Sequence, residues 1–107
     1  MAVGEGATAP FERAAEQFAA VAACLEQRMP DEALMARIAD ATAYCRRIAA
    51  EAPDAAQQAI LGNMATVFET WQSVWPRLGA QPEFRQAVER EARLWAKRLP
   101  TLAAPHG

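Results

Sequence analysis

The chain is poor in the side chains that do chemistry. It has one histidine, His106, in a Pro-His-Gly stretch near the end of the sequence. Nothing around it can hold an imidazole in place, so it is not expected to act as a general base. One His and two cysteines, Cys24 and Cys45, fall short of a zinc ligand set. No Glu-x-x-His pair suits a di-iron bundle, and neither GxxxxGK[ST] nor GxGxxG is present to cradle a phosphate. No apolar helical face contains a pair of carboxylates. The residues predict a protein that is not an enzyme and takes no metal or cofactor.

Other scarcities narrow the physical class. There are only 5 glycines, no run of β-branched residues and no period-two alternation, which excludes a sheet. No apolar run approaches the ~20 residues of a membrane span. The opening MAVGEGATAP lacks the basic and apolar regions of a secretory signal, so a cytoplasmic location is expected. The net charge of −2 and a single lysine, Lys97, argue against general nucleic-acid binding, which needs a basic surface. Cys24 and Cys45 fall on consecutive antiparallel helices about eight residues out of register, or ~12 Å. A disulfide needs Cα atoms within ~7 Å, so two free thiols are expected.

What the chain does have is alanine: 27 of 107 residues, the best helix former, in a length that suits one domain. The densest run of large apolar residues is Ile60–Leu78. Ile60, Leu61, Met64, Val67, Phe68, Trp71, Val74, Trp75 and Leu78 share one arc roughly 140° wide at ~100° per residue. An amphipathic helix follows.

Taken in order, residues 1–8 read as a disordered lead, with Thr8 as an N-cap and Pro10 in the first turn. Helix 1 is expected over 9–29, burying Phe11, Ala14, Ala15, Phe18, Val21, Ala22, Leu25 and Met29, with Cys24 on the far side. Pro30 breaks the chain and Asp31 caps helix 2, over 31–52, where Cys45 falls amid the buried face. Pro53-Asp54 repeats the arrangement for helix 3, over 54–75, which Pro76 should end or kink. Gly79 marks the turn. Helix 4 is expected over 82–99, stopped by Pro100, with a frayed tail over 100–107. The fold predicted is an all-α, single-domain antiparallel four-helix bundle spanning 9–99. In the helix 3–4 hairpin, Trp95 should land near Met64 and Phe84 near Trp75. Glu91 and Arg98, at the edge of the helix 4 face, are expected to make a boundary salt bridge or to snorkel.

Three surface features could carry function. Asn63, Thr66, Thr70, Ser73 and Arg77 form an almost uncharged polar stripe on helix 3, suited either to solvent or to a partner helix. The backs of helices 1 and 2 are alanine-rich, with Ala36 and Ala43 prominent; two helices with apolar backs suit a second packing surface. Arg90, Arg93 and Lys97 make a basic ridge on helix 4, with Glu89 placed to pair with Arg93 at i,i+4. The charge is uneven, −4 over residues 1–60 and +2 over 61–107, which suits docking of the two hairpins on each other or of two subunits. These features point to a self-associating protein-interaction module: an adaptor, chaperone or regulator that is a homo-oligomer or binds a protein partner. Two alternatives stand beside it. One is a small apolar-ligand binder, its pocket lined by Met64, Phe68, Trp71, Trp75 and Trp95. The other is a weak nucleic-acid binder using the basic ridge.

Overall fold

A computed structural model describes the backbone of residues 3–102 and the side chains of 9–102. Four helices account for nearly all of it: α1 Val3–Glu26, α2 Asp31–Glu51, α3 Ala55–Leu78 and α4 Pro82–Leu102. They form an antiparallel four-helix bundle measuring 45 × 23 × 18 Å. Residues 1–2 and 103–107, including His106, lie outside the described residues.

Three prolines lie inside helices, two of them, Pro76 and Pro100, where a helix end or kink is expected from the sequence. Helix α1 begins at Val3, so residues 3–8 are helical rather than a disordered lead, and Thr8 lies inside the helix rather than capping it. Pro10 removes one N–H, leaving only the Gly6 carbonyl, close to the helix start, without its donor. Helix α3 continues through Pro76 to Leu78, and α4 through Pro100 to Leu102. Pro76 and Pro100 each sit two residues before the end of their helix, so little helix follows to be disrupted. At Pro76 the preceding Trp75 is held in the helix by its burial, at 4% exposure.

Two helix ends differ from expectation in how they are closed. Helix α1 stops at Glu26, three residues early, so Met29 lies beyond it. The Met29 N–H donates to the Cys24 carbonyl and the Arg28 N–H to the Leu25 carbonyl. These are the paired bonds of a Schellman motif, with Arg28 in the left-handed position (φ 56°) that glycine usually takes. Pro30, not Asp31, is the N-cap of α2, and no side chain caps it. The Asp31 carboxylate is drawn away to Arg85. Asp54 does cap α3 as expected, accepting the Gln57 N–H at 2.8 Å.

The core is apolar throughout, with no buried polar or charged residue among those described. Phe18 is its hub. Its ring stacks on Phe68 at 4.1 Å, meets Trp71 edge-on at 5.8 Å and lies 6.3 Å from Trp95. Burial of each such ring contributes roughly 1.5–3 kcal/mol. The pairing of helices is uneven. Helix α2 packs chiefly on α3, and α1 chiefly on α4; α1 also lies along α2 and touches α3. Helices α3 and α4, although joined by the short turn 79–81, scarcely meet. Trp95 packs toward Phe18 on α1, whose ring also meets Phe68 and Trp71 of α3. Phe84 does meet Trp75, at 5.3 Å beside the turn.

Candidate interaction surface

Ion pairs show which flank of each helix is covered. On α3, Glu69 pairs with Arg46 of α2. On α4, Arg93 bonds Glu26 of α1 at 2.9 Å and its own Glu89 at 2.9 Å. Ile60, Val67, Val74 and Leu78 fall on the flank of α3 away from Glu69. Glu91, Leu94, Arg98 and Leu102 fall on the flank of α4 away from Arg93, at ~100° per residue. The Trp75–Phe84 contact ties these two flanks together at the turn. They form one side of the bundle that no other helix covers. Ile60, Val67, Val74, Leu78, Phe84 and Trp95 are half-buried there. Leu94 and Leu102, exposed to 47% and 51%, are the large apolar residues most open to solvent among those described.

The expected salt bridge between Glu91 and Arg98 is not made within this side. The two lie seven residues apart on one helix, about 10 Å in rise. Glu91 instead accepts the Trp95 indole N–H at 3.3 Å, and no acidic partner of Arg98 is found among the described residues. On α2, Arg47 lies over the Tyr44 ring at 4.9 Å.

The remaining candidate residues are dispersed. Asn63, Thr66, Thr70 and Ser73 are all exposed. Asn63 and Thr70 border the open side, while the Thr66 hydroxyl donates back to the Gly62 carbonyl of its own helix at 3.1 Å. Ala36 and Ala43 are exposed on α2. Of the basic ridge, Arg93 is engaged by two carboxylates, and Arg90 and Lys97 remain exposed. Met64, Phe68, Trp71 and Trp75 are buried, and Trp95 half-buried. Phe68 and Trp71 join Trp95 around Phe18, whereas Trp75 lies apart beside Phe84. Two surface clefts lie elsewhere. One, of about 460 Å³, is lined by Leu25, Arg28, Pro82 and Arg85 among others. The second, of about 320 Å³, is lined by Ala19, Ala22, Arg93, Ala96 and Lys97.

An arginine node at the turn end went unforeseen. The Arg85 Nη1 donates to the Asp31 carboxylate at 3.0 Å and to the Gly79 carbonyl at 2.8 Å, and its guanidinium lies 5.2 Å from the Trp75 ring. The hydrogen bond from Arg85 holds the Asp31 carboxyl below its ordinary range. The Trp75 indole N–H is buried without a partner of ordinary hydrogen-bond geometry, and its pull on Asp31 adds in the same direction. No local spacing signals this node, because residues 31 and 85 are 54 apart in sequence.

Both cysteines are free thiols; Cys24 is half-buried and Cys45 buried. Burial pushes the Cys45 thiol up to about 11, which suits a core hydrophobe rather than a nucleophile. No group of three His, Cys, Asp or Glu among the described residues is placed to hold a metal ion. None of the described helices is long and apolar enough to cross a membrane. Comparison with protein-family models, with curated proteins and with solved structures finds no match to this chain.

Proposed function

We propose that the chain is a cytoplasmic, non-enzymatic protein-interaction module that self-associates through the open side between α3 and α4. The observation that carries this reading is the uncovered pair of flanks. Helices α3 and α4 scarcely touch, and the residues between them are a half-buried aliphatic row on α3 and two exposed leucines on α4. An antiparallel bundle ordinarily covers such flanks by pairing neighbours. A helical partner laid along this side would cover them, with i, i+3, i+4 and i+7 anchors reading the groove. The exposed Asn63 and Thr70 form a small, uncharged border that permits close approach.

Absolute mass in solution, by size-exclusion chromatography with light scattering at micromolar concentration, tests this. A mass near twice 11.6 kDa is expected. Leu94→Arg or Val74→Arg should return the chain to a monomer with its helical circular dichroism intact. A wild-type monomer at every concentration up to about 100 µM, where a dimer with a Kd of about 1 µM would be almost fully formed, would sink the self-association reading.

A further inference from the structure

The open side of α4 is self-complementary. Along it run Ala87, Glu91, Leu94, Trp95, Arg98 and Leu102, an i, i+4, i+7, i+8, i+11, i+15 series that faces away from the Arg93–Glu26 pair, with Trp95 at its inner edge toward Phe18. Its charges are one acid and one base, set symmetrically about the point between Leu94 and Trp95. In two antiparallel helices related by a two-fold axis at that point, residue numbers facing each other have a constant sum. Glu91 then faces Arg98 of the second copy, and Arg98 faces the second copy's Glu91. Leu94 faces Trp95, and Leu102 lies over the small, exposed Ala87. A two-fold interface requires this reciprocity: each contact occurs twice with the roles exchanged.

We infer that the partner on the open side is a second copy of this chain, docked α4 against α4 in antiparallel register about Leu94 and Trp95. This rests on the reading that the open side is an interaction surface, and it names the occupant. The charge pattern selects a second copy over an unrelated helix. Within one chain Glu91 and Arg98 cannot reach each other, and Arg98 has no acidic partner among the described residues. The antiparallel pairing supplies both missing partners at once. The exposed Leu94, at 47%, is brought to the axis, and Leu102, at 51%, is covered at the rim. Glu91 remains able to accept from Arg98 while holding the Trp95 indole N–H, because a carboxylate offers about four lone-pair sites.

A charge-swap series followed by light scattering tests the register. Arg98→Glu or Glu91→Arg alone places like charges opposite each other twice in the dimer and should raise its dissociation constant by more than about tenfold. The double variant E91R/R98E restores opposite charges and should recover dimerisation. As a second readout, Leu94→Cys in a Cys24→Ala background should cross-link rapidly across the axis under mild oxidation. Thr66→Cys, on the back of α3, should not. A dimer indifferent to the single swaps and without the Leu94 cross-link overturns this register while leaving the broader reading standing. A wild-type monomer overturns both, leaving the open side to a different helix.

Discussion

A methyl group would meet opposite fates at Gly62 and Gly79, the glycines within and just after α3. At Gly62 an added Cβ finds no atom within 4 Å. The helix there gains from alanine's better propensity, so Gly62→Ala should raise stability by roughly 0.5–1 kcal/mol. Gly79 has ordinary right-handed backbone angles, φ −63° and ψ −22°, so conformational freedom is not what calls for glycine. Space is. A Cβ there would fall within 2.7 Å of three atoms of the buried Trp75 indole. Gly79→Ala should cost about 1–3 kcal/mol, the usual range for overpacking. Urea denaturation of the two variants separates the effects. Destabilisation by Gly62→Ala, or indifference to Gly79→Ala, would contradict this packing.

At the level of the helices, amphipathic periodicity carried much of the fold. The apolar arc around Ile60–Leu78 became α3, and the Pro-Asp and Pro-Glu breaks fell at the three turns. Cys45, in the middle of the α2 arc, is fully buried, and the Cys24 thiol is the more open one, as its helix position implied. Periodicity says which face of a helix is buried, but not by which neighbour. That is why the contact of Trp95 with Phe18 on α1 and the open side between α3 and α4 are not legible in the sequence. Proline was read too strictly, because its cost depends on how many turns follow it. The Asp31 cap failed because a competing partner 54 residues away was invisible to local spacing. The uneven pairing predicts a gradient in hydrogen exchange. Helix α4 packs closely on α1 alone, so in dilute solution its amides should exchange faster than those of α1, which touches three helices. Protection across residues 91–98 should rise with protein concentration. Equal protection of α1 and α4 at all concentrations would argue against an open side.

For the molecule as a whole, the charge imbalance between the two halves is used in part to fasten them. Two of the three ion pairs between the hairpins run from an acid in the first half to an arginine in the second, Asp31 to Arg85 and Glu26 to Arg93. Exposed and screened by solvent, such pairs add little to stability. Their pH dependence is nonetheless readable. Asp31 is held below its ordinary value, so its contribution is present above about pH 4 and is lost as the pH falls through the folded value. Cys45 acts at the other end. Its thiol ionises from 9.0 upward in the unfolded chain but only near 11 in the fold, so stability declines from about pH 9 and levels off beyond 11. The loss amounts to roughly 2–3 kcal/mol. Thermal melts across pH should show both limbs. Arg85→Gln should flatten the acid limb and Cys45→Ala the alkaline one, each from a lower baseline. An alkaline limb unchanged in Cys45→Ala would assign it to another group.

The pairing of α1 with α4 also sets an order in time. Helices α2 and α3 are neighbours in sequence and each other's main partner, so their hairpin can close once residue 78 has emerged from the ribosome. Helix α1 is synthesised first, yet its principal partner is the last of the four. Closing that contact spans some sixty residues of chain, an entropic cost the local hairpin does not bear. On the ribosome, therefore, Phe11, Phe18 and Val21 wait with only the α2–α3 hairpin to shelter them until residues 82–102 emerge. The nascent chain is most adhesive in that interval, and the helix made first is the last to be fully covered.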